Sequence, residues 1–159
     1  MKAHSLNCII SLVLISAVCA QQNSDNQATA VVETLNKYAA AVQSKNLAEV
    51  EKYVVATEAF SMFEGSHLNW DWADYRDNHL GPELKEFKSI QYSFHDIKPH
   101  VSGDMAYATF KSHIAVKMES REVEGESLVT AILMKTAAGW KIQHIHTSRI
   151  PPKKPEDKK

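Results

Sequence analysis

Cysteine is almost absent from the sequence. Only Cys8 and Cys19 occur among the 159 residues, so the chain from Gln21 onward has no thiol. That part of the chain can form no disulfide and offers no thiolate nucleophile or cysteine ligand for zinc. Hydrophobic residues make up 44% and charged residues 23% of the sequence, which fits one globular domain. This composition excludes a disulfide scaffold, a collagen-like chain and a wholly disordered chain.

An excess of basic charge is also missing. The sequence has 18 Lys and Arg residues against 19 Asp and Glu residues, a formal net charge of −1. We therefore expect no nucleic-acid partner. Glycine is scarce, with five residues, and no glycine-rich phosphate loop, Gly-x-Ser-x-Gly elbow, His-Glu-x-x-His helix or kinase signature occurs. Nucleotide-dependent chemistry and the hydrolase elbow thus have no support.

The first twenty residues have the pattern of a secretory signal peptide. Lys2 precedes the uncharged apolar stretch LNCIISLVLISAV, and Val18 and Ala20 suit cleavage before Gln21. The stretch is shorter than the ~20 residues that a membrane-spanning helix needs. A buried N-terminal helix is one alternative, and lipidation at Cys19 is another. We expect a periplasmic or secreted protein that has no membrane contact after cleavage.

Residues 21–27 are polar, and we expect them to form a flexible leader. The apolar residues that follow have the spacing of an α-helix. One helix face is formed by six apolar residues: Val31, Val32, Leu35, Tyr38, Ala39 and Val42. A second, shorter helix is predicted from Leu47 to Val54, with Asn46 as its N-cap.

A strand and a third helix are predicted next. The aromatic, alternating run from Phe60 to His67 is typical of a strand that ends near Gly65. Asn69 is the expected N-cap of the helix that follows. Gly81 and Pro82 are expected to break or kink this helix, with Pro82 starting another turn or two through Leu84 and Phe87. Arg76 and Glu83 are expected to be surface or hinge charges.

From Ser89 onward the apolar period changes to two, which predicts four strands. Short connections between them favour a curved, mainly antiparallel sheet. The strands are expected at 90–100, 105–120, 127–136 and 140–150, with turns at 102–104, 124–126 and 138–139. Residues 151–159 have no apolar side chain other than proline and predict a disordered polar tail.

Three stretches carry a family resemblance: Phe63-Glu64-Gly65, WADYRDNHLGPEL at residues 72–84, and GWKIQHIHTS at residues 139–148. Over residues 28–150 the chain resembles the NTF2-like superfamily and its SnoaL-like, DUF4440-type small domains. The resemblance implies an α+β cone, in which a strongly curved, mainly antiparallel sheet packs on three N-terminal helices around a pocket. It also implies a homodimer formed through the outer face of the sheet. Family membership does not fix the activity, because relatives include isomerases, dehydratases, hydrolases and non-catalytic binding domains.

The last predicted strand contains a His-x-His pair. Strict alternation places His144, His146 and Ser148 on the same face as the apolar residues Trp140 and Ile142. We therefore predict that both imidazoles and the hydroxyl point into the cone. Buried imidazoles need hydrogen-bond partners, which carboxylates opposite would supply.

Two roles are open for these histidines. In the first, His144 or His146 is a general acid or base and Glu64 or Asp74 orients it. Four further residues are then expected to bind the ligand: Trp72, Tyr75, His79 and Ser148. In the second, the histidines only stabilise the core. A metal site that adds His67, His79 or His113 is a third possibility, but no closed metal motif occurs and we expect neither metal nor cofactor.

The resulting hypothesis is an exported domain that binds a small apolar or amphipathic molecule, with cofactor-independent acid–base chemistry of isomerase, dehydratase or hydrolase type. The sequence does not decide whether the protein is an enzyme. The alternative is a non-catalytic dimerisation or protein-interaction domain. The tyrosine and two aspartates of the steroid isomerase branch cannot be matched here residue by residue.

Overall fold

The computed structural model describes the backbone of residues 6–151, and the side chains of residue 22 and of residues 24–151. The side chains of the predicted signal peptide lie outside this part, as does the predicted tail beyond Pro151. Within the described residues, no helix is both long and apolar enough to cross a membrane.

The structure is an α+β fold, as the sequence predicts. The helical elements are α1 (Leu6–Gln43), α2 (Leu47–Glu51), α3 (Trp72–Asp74), a π-helical segment (Tyr75–Leu80) and α4 (Gly81–Glu86). The strands are β1 (Ser61–Glu64), β2 (His67–Asn69), β3 (Ser89–Ser102), β4 (Met105–Lys117), β5 (Glu122–Thr136) and β6 (Gly139–Arg149). They form one open sheet in the order β2-β1-β6-β5-β4-β3. All neighbours are antiparallel except β1 and β6, which are parallel.

Helix α1 packs on the sheet through the apolar face that the sequence predicts. Val31, Leu35 and Tyr38 are almost completely buried there. The backbone of residues 21–27, the predicted leader, is part of α1, and Gln27 Oε1 accepts a hydrogen bond of 3.2 Å from Trp140 Nε1. The predicted N-cap of α2 is confirmed, since Asn46 Oδ1 accepts from the Glu49 amide.

The predicted cap of the third helix is wrong. Asn69 belongs to β2 and pairs with Met62 in a β1–β2 hairpin that turns at Gly65, where φ is +60°. Asp71 caps the helix instead, because its extended backbone lets Oδ1 accept from the Asp74 amide at 2.7 Å. The predicted strand is β1, which ends just before Gly65 as expected, and β2 is an additional short strand that is not predicted from the sequence.

The further helical turns predicted at Pro82 are confirmed as α4, although the chain does not leave the helical conformation at Gly81. The helix continues, and the Gly81 amide donates to the carbonyl of Arg76, five residues earlier. Proline has no amide hydrogen, and its ring clashes with the preceding turn of a regular α-helix. The wider π turn before Pro82 accommodates the ring without ending the helix.

The turn expected at residues 124–126 lies earlier in the chain. Glu124, Gly125 and Glu126 pair with β4 as part of β5, and the connection runs through residues 118–121.

The two faces of the sheet differ in burial. We call the face that packs on the helices the inner face, and it carries the buried residues Met62, Ala108, Phe110, Val129, Ala131, Leu133, Ile142 and Ile145. The opposite, outer face carries the exposed residues Met105, Tyr107, Leu128, Thr130 and His146. Register shifts occur in β3 between His95 and Lys98 and in β6 opposite Ile132 and Leu133. Such bulges bend a sheet and increase its twist.

Candidate functional site

The His-x-His pair of β6 lies on the outer face, so the prediction that both imidazoles point into the cone is wrong. Leu133 pairs with Ile142 and Ile132 pairs with His144, which leaves Gln143 as an extra residue in β6. Each extra residue in a strand shifts the alternation by one position. Ile142 is therefore buried on the inner face, whereas His144, His146 and Ser148 point outward.

Aromatic rings surround the outward histidines. His144 Nδ1 lies 2.8 Å from Ser61 Oγ, and the Phe63 ring lies 5.0 Å from the His144 ring and 6.3 Å from the His146 ring, centroid to centroid. Burial, and to a smaller extent the nearby His146, lowers the pKa of His144. His146 and Ser148 line a shallow groove of about 380 Å³ on the same face. The histidines thus belong to an outer surface.

A second group of polar residues lies on the helix side of the sheet. His79, from the π-helical segment, places Nε2 at 3.7 Å from Glu64 Oε2 and at 3.6 Å from Glu83 Oε1. The His79 side chain is only 9% exposed, whereas those of Glu64 and Glu83 are 51% and 46% exposed. One buried imidazole therefore lies between two carboxylates that solvent or a ligand can reach.

The other ring nitrogen of His79, Nδ1, contacts the side chain of Asn69. His79 Nδ1 lies 2.8 Å from Asn69 Oδ1, and Asn69 Nδ2 donates to Asp74 Oδ2 at 2.7 Å. Asn78 donates to the second oxygen of Asp74 at 2.9 Å. Because both amides stabilise its charged form, the pKa of Asp74 is lowered.

Local electrostatics raises the pKa values of both His79 and Glu64. The Glu83 carboxylate is the largest cause for His79, with Glu64 and Asp74 adding to it and burial opposing. For Glu64 the largest cause is desolvation, followed by the like charge of Glu83, while His79 opposes. Both shifts are in the same direction. The raised pKa of Glu64 makes its carboxylate a stronger base than an ordinary one, and the raised pKa of His79 makes its imidazole a better proton acceptor.

Three tyrosines lie near this group. The hydroxyl groups of Tyr38 and Tyr75 are 3.3 Å apart and fully buried, and Tyr92 on β3 is half-buried. Desolvation raises the pKa of all three hydroxyls well above the ordinary value, and the Glu64 charge contributes in each case. These hydroxyls therefore keep their protons and can donate hydrogen bonds.

The predicted site residues thus divide between two places. Glu64, Asp74, Tyr75 and His79 come together on the inner side, while His144, His146 and Ser148 form part of the outer face. Trp72 lies in the core, where its indole Nε1 donates to Glu51 Oε2 at 2.9 Å and its ring meets Phe60 edge-on.

Sequence reasoning missed several members of the inner group. Asn69 is predicted as a helix cap, Glu83 as a surface charge and Tyr38 as an ordinary core residue. The signal that could have found Glu83 is helical spacing, because it follows the predicted ligand-binding residue His79 by four residues. Among the residues with described side chains, no three His, Cys, Asp or Glu residues are arranged to hold a metal ion.

Solved structures show the same fold. An NTF2-like superfamily protein from Salmonella enterica serovar Typhimurium superposes with a TM-score of 0.75 at 17% identity, covering 85% of this chain and 98% of its own. A proposed ketosteroid isomerase from Shewanella frigidimarina gives 0.62 at 26% identity, covering 77% and 94%. The CaMKII hub from S. rosetta gives 0.62 at 21% identity, covering 77% and 96%.

The sequence itself matches one domain family. The SnoaL-like domain matches residues 31–152, which include every described strand and the residues around His79. A comparison with curated proteins gives no match. The match spans most of the chain and agrees with the fold that the chain shares with the NTF2-like protein from Salmonella, so the chain belongs to the SnoaL-like domain family.

Proposed function

We propose that the protein binds a small molecule beside Glu64 and transfers a proton to and from it without a cofactor. The observation that carries this proposal is the position of His79, whose Nε2 lies between the carboxylates of Glu64 and Glu83. A carboxyl and an imidazole in such proximity form an acid–base pair, and positioned groups of this kind typically contribute about 10²–10⁴-fold to a rate.

Glu64 is the group that meets the substrate in this proposal. Its side chain is half exposed, whereas that of His79 is almost buried. Glu64 accepts a proton from carbon and becomes a carboxylic acid. Neutral His79 Nε2 can then take up that proton, across a gap of 3.7 Å that a small side-chain rotation closes. The proton returns by the reverse steps to a different atom of the substrate.

The tyrosines favour a substrate that carries a carbonyl oxygen. Removing a proton next to a carbonyl group places negative charge on that oxygen, and hydroxyl donors in a water-poor site stabilise such a charge. Tyr92 is the half-buried member of the three, whereas Tyr38 and Tyr75 are buried. Isomerisation and dehydration both begin with this step, which agrees with the activity proposed for the Shewanella relative.

The charge of the site favours a neutral substrate over an anionic one. Glu64, Glu83 and Asp74 all contribute to raising the pKa of His79. Even if His79 is protonated, its one positive charge is smaller than the three negative charges of the ionised carboxylates. A substrate carboxylate would add to this repulsion, while a small apolar or amphipathic ketone would not.

Deuterium exchange tests the proposal without knowledge of the natural substrate. A panel of neutral cyclic ketones in D₂O is incubated with the protein, and incorporation next to the carbonyl is followed by NMR. We expect the wild type to accelerate exchange for at least one member. Glu64→Gln should lower that rate by about 10²-fold or more, because an amide cannot accept the proton.

His146→Gln is the matched control, because His146 lies on the outer face. It should exchange at the wild-type rate. If His146→Gln abolishes exchange while Glu64→Gln retains it, the proposed site is wrong. Circular dichroism of both variants shows whether either loss comes from unfolding.

We also propose that the protein is exported and forms a homodimer. The N-terminal pattern of Lys2 and an apolar stretch supports export, and N-terminal sequencing of extracellular or periplasmic material should begin at Gln21.

Exposed large apolar residues on the outer side of the sheet support self-association: Leu68, Trp70, Met105, Tyr107 and Leu128. Light scattering on Leu128→Glu should report a monomer if this face is the interface.

A further inference from the structure

The side-chain amide of Asn69 has one orientation that satisfies both of its neighbours. Asp74 is ionised at neutral pH and can only accept hydrogen bonds, so Asn69 must turn Nδ2 toward Asp74 Oδ2, 2.7 Å away. Asn69 Oδ1 consequently faces His79 Nδ1 at 2.8 Å. Because Oδ1 is an acceptor only, Nδ1 must carry a hydrogen.

The surroundings of the other ring nitrogen, Nε2, favour protonation at Nε2 instead. Nε2 faces Glu64 on β1 and Glu83 on α4. His67 on β2 and Tyr75 on the π-helical segment also lie beside the ring, at 5.4 and 5.2 Å between centroids. Two carboxylates near Nε2 favour a proton there, so a neutral His79 without Asn69 would carry its single proton on Nε2. In that tautomer, Nε2 has no lone pair with which to accept a proton from Glu64.

We propose that Asn69 and Asp74 are positioning residues that keep the proton of neutral His79 on Nδ1, leaving the Nε2 lone pair free to accept the proton that Glu64 takes from the substrate. Asp74 acts through the orientation of Asn69, and Asn69 acts through His79. Neither residue touches the substrate. Proton transfer then forms the Nε2–H bond and breaks the O–H bond of Glu64, and the reverse transfer regenerates the acid. The catalytic consequence rests on the proposed function, whereas the tautomer is a property of the protein alone.

The tautomer of His79 can be read by long-range ¹H–¹⁵N NMR on uniformly labelled protein, above the pH at which His79 loses its charge. We expect the wild type to show Nδ1–H and an unprotonated Nε2. Asn69→Leu removes the acceptor, and Asp74→Ala frees the amide to flip, so both variants should shift to Nε2–H. Asn69→Asp keeps an acceptor beside Nδ1, and the new carboxyl group and that of Asp74 share one proton across the 2.7 Å contact, so this variant should retain the wild-type tautomer.

Asn78→Ala is the matched control, because it removes a hydrogen bond to Asp74 but leaves the one from Asn69. Its tautomer should be that of the wild type. If Asn69→Leu fails to fold, Asp74→Ala still decides. The inference is overturned if Asn69→Leu and Asp74→Ala, or whichever of the two folds, retain the hydrogen on Nδ1.

Exchange kinetics separate this inference from the proposed function. With a ketone that the wild type turns over, Asn69→Leu and Asp74→Ala should lower kcat about tenfold or more with little change in KM, and Asn69→Asp should recover much of the rate. Exchange at the wild-type rate in the variants that have switched tautomer overturns the positioning role. Absence of exchange with every ketone, together with the expected tautomers, overturns only the proposed function.

Discussion

Ile142 and His144 are two residues apart in β6 and lie on opposite faces of the sheet, because Gln143 forms a bulge between them. The residues after the bulge keep the shifted alternation. Ile145 is 1% exposed, while its neighbour His146 is exposed on the outer face. The chemistry of the inner side therefore does not come from β6.

This arrangement predicts that substitutions at two adjacent residues of β6 change the stability of the protein by very different amounts. Ile145→Ala should lower the free energy of unfolding by about 2–5 kcal/mol, because it leaves a cavity in the core. His146→Ala should change it by less than about 0.5 kcal/mol, as expected for an exposed side chain. Urea denaturation of both variants checks the pair. A larger loss for His146→Ala than for Ile145→Ala would place the imidazole inside after all.

The spacing of apolar residues along the sequence, together with the capping and turn residues, is sufficient to predict most of the fold. The apolar face of α1, the Asn46 cap and the antiparallel order of β3 to β6 are all visible in the sequence, since each depends on local spacing or on one capping residue. The bulge at Gln143 is not visible, because nothing in the local sequence distinguishes a regular strand from one with an extra residue. A single undetected bulge reverses the predicted direction of every side chain that follows it.

The candidate site could be predicted only in part for a similar reason. Glu64, Asp74, Tyr75 and His79 were expected to lie near a ligand, and the structure brings them together. The role of Asn69 depends on a β1–β2 hairpin that returns the chain beside the helix. The position of His79 depends on a π turn. Both are tertiary features without a clear local signal.

Glu64→Gln should make the protein more stable at neutral pH. Desolvation raises the pKa of Glu64 above its ordinary value of 4.5. The folded state therefore binds this proton more tightly than the unfolded state, and the resulting stability is present below pH 4.5 and is lost as the pH rises through the folded pKa. Glutamine cannot ionise, so the variant should lack this loss. Thermal unfolding from pH 4 to pH 8 measures the difference.

Glu33→Gln provides the control for this pH profile, because Glu33 is an exposed carboxylate on α1 with Lys37 as its partner. Its melting temperature should follow that of the wild type across the range. If Glu64→Gln also runs parallel to the wild type, the ionised Glu64 carboxylate carries no penalty in the folded state.

The hydroxyl pair of Tyr38 and Tyr75 predicts strong coupling between two substitutions. Each single change to Phe removes one partner of the buried 3.3 Å hydrogen bond and leaves the other hydroxyl without it, at a cost of about 1–3 kcal/mol. The double variant leaves no unpaired hydroxyl and should lose less stability than the sum of the single changes. A double-mutant cycle by denaturant unfolding measures this coupling, and additive losses would show that the hydroxyls do not depend on each other.

Gly81→Ala should destabilise the protein although alanine favours helices. A Cβ atom at this position would lie 2.5 Å from the backbone oxygen of Arg76, the acceptor of the π turn. The turn must therefore shift, and we expect a loss of about 1–3 kcal/mol, as for other overpacked sites. Because His79 lies within that turn, its NMR signals should move as well. Gly125→Ala is the matched control, since its Cβ would meet Arg149 Nη2 at an ordinary 3.6 Å. A Gly81→Ala variant that gains the ~0.5–1 kcal/mol expected for alanine in a regular helix would rule out the π turn.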